Sequence, residues 1–335
     1  MGVEAVVDEH TEVSVRARIV FAAARLMLRP VLTYWPLTTW GLRPLFLLES
    51  AAGLLPAPCG VRVERVDFGG FAGEWVRPDP TEETALSASA DGAPGVVLYL
   101  HGGAFVTCGV ATHRYEVALI AQASGLPVLS VGYRQLPTVR LAGSVDDCLS
   151  VYRGLLAEGF DPSRIVIAGD SAGGNLAFAT ALAARAEGLP GPAGIVALSP
   201  WLDFDATAKL AHPNAGRDAY APVSRLPELA RLLGADQTPD PSPVHSDLTG
   251  LPPVLLVASE SEMLRCDAEL MAERLAAADV PVALQIWAGQ VHAFPVLGNL
   301  LPESKAAIRE IATFIRDLVH PAAIEDRPDV TALAG

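Results

Sequence analysis

The stretch Arg164-Ile-Val-Ile-Ala-Gly-Asp-Ser-Ala-Gly-Gly-Asn175 restricts the fold of this chain more than any other. Ile165 to Ala168 is a short, continuous apolar run rich in β-branched residues, the pattern of a strand buried on both faces of a parallel sheet. Ala172 to Glu187 is Ala-rich and stops at Gly188 and Pro190, which predicts a helix. Ser171 is thereby placed on the sharp turn between them. Gly169 and Gly173 flank it because a Cβ at either position would collide with the neighbouring element. A serine held there exposes its hydroxyl above the sheet, beside the backbone N–H groups of a helix N-terminus. This is the G-x-S-x-G nucleophile-elbow pattern in its strand–turn–helix setting. A Gly-rich turn whose serine merely caps the helix would look the same over these residues, so the rest of the chain has to decide.

A serine hydroxyl is a poor nucleophile at neutral pH and needs a base, an acid to orient that base, and donors for the oxyanion. Of the seven histidines, His10, His101 and His113 precede Ser171, against the Ser…acid…His order that accompanies this turn. His212 and His245 fall in an irregular section, and His320 follows the last predicted helix. His292 alone follows a late strand, Val282 to Trp287, on the loop Ala288-Gly-Gln-Val-His-Ala-Phe294. The acid is expected after the strand Pro253 to Ala258, where Glu260, Glu262 and Asp267 stand. Asp267 reads as a first-turn residue of the next helix, and position leaves both Glu260 and Glu262 open. His101-Gly102-Gly103-Ala104 follows the strand Gly95 to Leu100, where backbone N–H groups can approach a bound carbonyl. With the N–H of Ala172 they would complete an oxyanion hole, worth about 3 to 4 kcal/mol per donor. A simple β-turn is the plainer reading of that loop.

The remaining chain alternates. Val61 to Phe68 and Phe71 to Arg77 predict a hairpin turning at Gly69-Gly70, and Pro78 to Pro94 a polar loop. Helices are expected at 111–124, 144–158, 226–233, 267–278 and 303–319, strands at 127–131 and 194–198, and a tail at 321–335. Strands alternating with helices predict right-handed βαβ units in one doubly wound α/β sheet. The first 50 or so residues and the section 202–249 lie outside the alternation, near the sheet edge where such folds bind ligands, and are natural lids.

With 335 residues, 51% of them hydrophobic, the chain can build one large α/β domain or two smaller ones. A net charge of −14 argues against a nucleic-acid partner. Cys59, Cys108, Cys148 and Cys266 lack metal-ligand spacing and read as buried thiols of a reducing compartment, the cytoplasm. Arg25, Arg29, Pro30, Pro36 and Arg43 interrupt the apolar stretch Ile19 to Leu48, so no run matches a signal peptide or the roughly 18 to 20 residues of a spanning helix. That stretch is either a helical flap on the core or an amphipathic segment in peripheral contact with a membrane, with Tyr34, Trp35 and Trp40 at the interface.

Taken in order, the motifs resemble those of the hormone-sensitive-lipase-like esterases, a branch of the α/β-hydrolase superfamily, over roughly residues 61 to 319. His101-Gly-Gly-Ala-Phe105 is similar to the family's HGG[GA] motif and Gly169-Asp-Ser-Ala-Gly173 to its GDSAG elbow. Tyr133-Arg-Gln-Leu-Pro137 resembles Y-R-L-x-P, and Leu141-Ala-Gly-Ser-Val-Asp-Asp147 resembles F-P-A-A-x-x-D. Ser199-Pro-Trp201, Leu251-Pro-Pro253 and Val291-His-Ala-Phe294 match as well. The resemblance implies Ser171 as nucleophile, His292 as general base and, nine residues after Pro253, Glu262 as the acid in place of the usual aspartate. It also implies an oxyanion hole of Gly102, Gly103 and Ala172, with His101, His113, Tyr133 and Asp170 as structural supports. Ala104 stands where the third glycine is usual, which argues against bulky tertiary-alcohol esters; Thr138 and Cys266 replace acidic residues of the family pattern.

What the resemblance implies overall is an α/β-hydrolase core at 56–201 and 250–320 under a cap of residues 1–55 and 202–249. The expected activity is hydrolysis of short- to medium-chain acyl esters through a serine acyl-enzyme, without cofactor or metal. Partners are then small-molecule esters, with lipid contact or a homodimer left open. Activity should fall as pH drops through the histidine pKa, near 6 to 7. Two rivals keep the fold: a non-catalytic small-molecule receptor, like the plant gibberellin receptors that lack the histidine, and an amide or lactone hydrolase with the same triad.

Overall fold

The computed structural model describes residues 4–80, 95–220 and 222–320. The predicted tail and most of the predicted 78–94 loop lie outside the described residues. The strands are β1 (Val6–His10), β2 (Val61–Asp67), β3 (Ala72–Pro78), β4 (Val96–Leu100), β5 (Val128–Gly132), β6 (Ile165–Asp170), β7 (Gly194–Leu198), β8 (Val254–Ser259) and β9 (Val282–Trp287). Among the described residues these nine form one sheet in the order β1-β9-β8-β7-β6-β4-β5-β3-β2. Every pairing from β1 across to β5 is parallel; β3 and β2 close the far edge antiparallel. A parallel arrangement sends the loops after β4, β6, β8 and β9 out at one edge. Those are the loops that carry the predicted site residues.

β4, β6, β7 and β8 are buried along their whole length, as expected of strands covered on both faces. Their alternate side chains feed two cores. Val96, Leu98, Leu100, Ile165 and Ile167 face one, together with α6 (Leu141–Ala157), α7 (Ala172–Ala186) and α10 (Arg265–Ala277). Val97, Tyr99, Val166 and Ala168 face the other, packed against α5 (Val110–Ser124) and α11 (Pro302–Val319). The expected doubly wound α/β sheet is therefore present.

The N-terminal residues depart from expectation. Val6–His10 adds an edge strand parallel to β9, with His10 stacked on Trp287 at 3.7 Å and its carbonyl accepting from the Ala288 N–H at 2.8 Å. Nearly all of β1 is exposed, so it lacks the apolar alternation by which a strand is read; backbone pairing carries it. After Ser14, whose N–H and hydroxyl both donate to Glu303, come α1 (Val15–Ala23), a wider π-type turn (Ala24–Leu28), α2 (Arg29–Tyr34), α3 (Thr39–Leu42) and α4 (Phe46–Gly53). Among the described residues no helix is long and apolar enough to cross a membrane.

Between β7 and β8 the insertion holds α8 (Thr207–Ala211) and α9 (Leu226–Leu233). Leu226, Leu229, Ala230 and Leu233 repeat at helical spacing and are buried, and Gly234 ends α9 in the left-handed conformation, φ 70°. With Trp201, Leu202 and Phe204 they belong to the same apolar cluster as Leu98 and Ile167. The insertion thus shares the core of the sheet. The cysteines are free thiols; Cys148 is buried as expected, but Cys59 is exposed.

Candidate active site

The turn between β6 and α7 is as tight as its glycines predict. A Cβ on Gly173 would lie 1.8 Å from the Leu100 carbonyl oxygen, and one on Gly169 would lie 2.5 Å from it. Ser171 itself takes φ 51° and ψ −112°, a conformation that side-chain-bearing residues avoid and that surrounding bonds must hold. Its N–H donates to the Leu198 carbonyl at 2.7 Å, and its carbonyl accepts from Trp201 and Asn175. The hydroxyl is thereby aimed over the carboxyl edge of the sheet.

The structure brings together Ser171, His292 and Glu262 from three separate loops. Ser171 Oγ lies 2.9 Å from His292 Nε2, and His292 Nδ1 lies 2.6 Å from Glu262 Oε2. The second carboxylate oxygen accepts from the Ser259 N–H at 2.8 Å, which fixes the carboxylate plane. Glu262 is 1% exposed. Glu260, two residues before it, points to solvent and joins only through its backbone. The longer glutamate therefore reaches the imidazole from the place where the family usually has aspartate.

The imidazole loop is tied at several points. Ser199 Oγ accepts from the Ala293 N–H at 2.9 Å, Ser259 Oγ donates to the Gln290 carbonyl at 2.6 Å, and the Tyr220 hydroxyl donates to the His292 carbonyl at 2.5 Å. Burial works against a charged imidazole. The Glu262 hydrogen bond and charge, followed by the Asp218 and Asp170 charges, outweigh it and hold the His292 pKa above its ordinary value. Such a group keeps a proton well once it has taken one.

One predicted oxyanion donor is corrected. The Gly102 N–H donates to Asp170 Oδ1 at 2.8 Å and is committed there. A Cβ on Gly102 would stand 2.0 Å from the Asp170 carboxylate, so this glycine serves a close approach. The next residues turn through positive φ, Gly103 at 114°, Ala104 at 54° and Phe105 at 60°. Gly103, Ala104 and the helix-start Ala172 are the N–H groups left to face a substrate oxygen.

Below that loop lies a buried polar cluster. The Tyr99 hydroxyl lies between two carboxyl groups, 3.0 Å from Asp170 Oδ1 and 2.8 Å from Glu116 Oε2, and Asp170 also lies 3.3 Å from His113 Nε2. Burial opposes charge on His113, yet the Asp170 charge and hydrogen bond push it up to about 9; burial and the Asp170 charge push Glu116 up to about 8. His101, buried and next to His113, is pushed down to about 4; it stacks on Tyr133 at 4.2 Å, whose hydroxyl donates to the His101 carbonyl. The resemblance gave His101, His113, Tyr133 and Asp170 supporting places; Tyr99 and Glu116, which join them here, were not singled out from the sequence. Arg134 pairs with Asp147 at 2.6 Å, so two separate sequence motifs meet in one contact.

Several residues were missed from sequence. Asp267 does lie in the first turn of α10, but it also accepts from the Leu202 and Asp203 N–H groups and binds Lys209 Nζ at 2.7 Å. Lys209 is 0% exposed and is one of two lysines in a chain that otherwise uses arginine, the one signal that could have singled it out. Asn214, Asp218 and Tyr220, which reach the acid and histidine loops, sit in a section with no periodicity to mark them. His212 and His245 belong to the insertion, His212 accepting from Asn214 and His245 lying 3.6 Å from Asp203. Among the described residues no group of three or more His, Cys, Asp or Glu side chains is placed to hold a metal.

Residues 97–296 match the family described as having an alpha/beta hydrolase fold. The chain is similar to the esterase LipU of Mycobacterium tuberculosis, 39% identical over 305 residues that cover 87% of this chain and 99% of that one. It is also similar to the carboxylesterase/phospholipase LipF of the same organism, 37% identical over 91% of this chain and 82% of the relative. A solved esterase of the bacterial hormone-sensitive lipase family is 35% identical and superimposes with a TM-score of 0.79 over 92% of this chain and all of that one. With the fold, the elbow and the three converging side chains, these likenesses identify the chain as a carboxylesterase belonging to the hormone-sensitive-lipase-like family of α/β hydrolases.

Proposed function

We propose that the protein hydrolyses short- to medium-chain acyl esters through a serine acyl-enzyme, with Ser171 as nucleophile, His292 as general base and Glu262 as orienting acid. The unbroken run of hydrogen bonds from Ser171 Oγ to His292 to Glu262 carries this reading. His292 takes the hydroxyl proton as Ser171 attacks the ester carbonyl. The N–H groups of Gly103, Ala104 and Ala172 hold the oxyanion. The protonated imidazole then gives its proton to the departing alcohol. A water, deprotonated by His292, attacks the acyl-enzyme, and the imidazolium returns that proton to Ser171 Oγ as the acid leaves. His292, present and bonded, speaks against a purely binding role.

An aromatic cluster stands beside the elbow. Phe105 follows the oxyanion loop, Trp201 bonds the Ser171 carbonyl, and Phe204 packs on Trp201 at 4.9 Å between ring centres. All three are buried in the core beside the elbow. The cap in this reading is residues 1–55 with the 202–249 insertion, less the β1 strand. p-Nitrophenyl esters from acetate to palmitate, assayed beside Ser171→Ala, test the proposal. The expected profile peaks at or below about the octanoate, and Ser171→Ala loses about 10³- to 10⁶-fold in kcat. A wild type no faster than Ser171→Ala on every ester would overturn it.

One observation favours a lipid-facing variant of the same reading. Leu26, Met27, Tyr34, Trp40, Leu47 and Leu54 of the N-terminal helices are exposed, and the relative LipF has phospholipase in its name. We therefore read this face as one for peripheral lipid contact. Co-sedimentation with phosphatidylcholine–phosphatidylglycerol vesicles checks it; a dimer in solution with no vesicle binding would assign the face to a second copy instead.

A further inference from the structure

The 202–249 insertion was expected as a lid, but part of it is bonded to both loops that carry the base and the acid. Asn214 Nδ2 donates to the carbonyls of Glu260 and Glu262 at 2.7 and 3.0 Å. The Asp218 carboxylate accepts from the Met263 N–H, next to Glu262, and from the Tyr220 N–H, each at 2.9 Å. Tyr220 donates its hydroxyl to the His292 carbonyl, and its ring meets the imidazole edge-on with centres 5.7 Å apart. Asp218 is 0% exposed and Asn214 is 4% exposed, so these are interior bonds in which an unmade partner is costly.

The same segment is gripped from the other side by the N-terminal helices. Arg29 donates to the Asp218 carbonyl at 2.6 Å and to the Ala215 and Gly216 carbonyls, and Arg25 donates to those of Gly216 and Arg217. A continuous set of hydrogen bonds therefore runs from α2 through the turn 215–218 to the tips of the acid and histidine loops. The sheet anchors those loops near their bases, through Glu260 N–H to Trp287 and Ser259 Oγ to Gln290. The insertion adds bonds where Glu262 and His292 sit, beside those of the Ser259 N–H to Glu262 and of the Ala293 N–H to Ser199 Oγ.

We propose that Asp218 and Tyr220 are positioning residues for the Glu262–His292 pair and that Arg29 holds them in place. The segment 214–220 then acts on the chemical step as a fixed brace, and it cannot swing open without loosening the base and its acid. This rests on the serine-esterase reading of the triad. Misplacement of a reacting group by about 1 Å costs about 100-fold in rate, so a brace at this position shows in kcat before it shows in KM. The groups facing His292 are the Glu262, Asp218 and Asp170 carboxylates, the Ser171 hydroxyl and the Tyr220 ring.

The test uses the full-length enzyme and p-nitrophenyl butyrate, with kcat, KM and the pH profile of kcat/KM for each variant. Tyr220→Phe removes one hydroxyl and should lower kcat about tenfold with KM changed by less than about twofold. Asp218→Asn should cost more and should also move the acid limb to lower pH, because a negative charge that favours the imidazolium is gone. Arg29→Met should lower kcat in the same manner, and Arg29→Lys should restore most of it. Arg231→Ala, an exposed side chain on α9 outside the brace, should match the wild type. If Asp218→Asn does not fold, Tyr220→Phe and the Arg29 pair decide. Wild-type kcat in Tyr220→Phe and Arg29→Met, or a rise in KM alone, overturns the brace. A wild type no faster than Ser171→Ala sinks the esterase reading instead.

Discussion

The insertion and the N-terminal helices are bonded to each other, yet they are held to the molecule by different means. The insertion is the more polar in sequence and the more deeply packed in space. Leu202, Phe204, Leu226, Leu229 and Leu233 run into the core of the sheet, and Lys209 forms an ion pair with Asp267 in its interior. The N-terminal helices are the more apolar in sequence, but Leu26 is 76% exposed, Met27 74% and Tyr34 84%. Ala17 and Leu42 are buried and Val20, Phe21, Leu37 and Leu45 pack on the cores, and polar ties add to them: Ser14 to Glu303, Glu49 to the Ala111 and Thr112 N–H groups at the start of α5, and Arg25 and Arg29 to the insertion. Apolar content is thus a poor guide to burial unless a facing surface exists to receive it. Leu26, Met27 and Tyr34 of the N-terminal arm offer apolar surface without one.

The sharpest break in this comparison comes where the insertion meets the acid loop. Glu262→Gln should lower kcat about 10⁴-fold, since an amide cannot stabilise the imidazolium that forms. Glu260→Gln, on an exposed side chain, should leave kcat within about twofold; steady-state kinetics on p-nitrophenyl butyrate separates the two. Next in size is Lys209→Met. It strands the Asp267 carboxylate in the interior and should cost about 3 to 5 kcal/mol in denaturant unfolding. Burial, its largest influence, already pushes Asp267 up to about 6 with Lys209 in place.

Smaller again is the contrast between two leucines. Leu229→Ala should cost about 2 to 5 kcal/mol because it opens a cavity in the shared core. Leu26→Ala should stay within about 0.5 kcal/mol of the wild type. Equal losses at both positions would erase the distinction between the two halves of the cap. The smallest effect is in pH. His292 must be neutral to act as base, and its pKa is raised, so the acid limb of kcat/KM should lie above about 6.5, the ordinary histidine value. Glu262→Gln removes the main group raising it, so the residual activity should show its limb at lower pH.

Much of the site was readable along the chain because its parts are local. The elbow needs a strand, a turn and a helix in sequence, and Gly169, Ser171 and Gly173 announce all three. His292 was legible from its place after the last strand. Glu262 was not separable from Glu260 by position, since the two differ in direction at the end of β8 and only the fold sets direction. The Gly102 donor was misplaced for a similar reason: its N–H is taken by Asp170, a partner 68 residues away. β1 escaped notice because an edge strand held by backbone pairing needs no apolar alternation.

By itself, the sequence determined the βαβ alternation, the elbow, the loops that bear the serine and histidine, and the family's chemistry. These follow from periodicity and from residues whose neighbours are a few positions away. The tertiary structure decided which carboxylate meets the imidazole, which N–H groups remain for an oxyanion, and that the insertion is core while Leu26, Met27 and Tyr34 of the N-terminal arm are surface. Those outcomes depend on pairings such as Tyr220 with His292, 72 residues apart, and Arg29 with Asp218, 189 residues apart. Such pairs are set by packing across the sheet, and no local pattern encodes them.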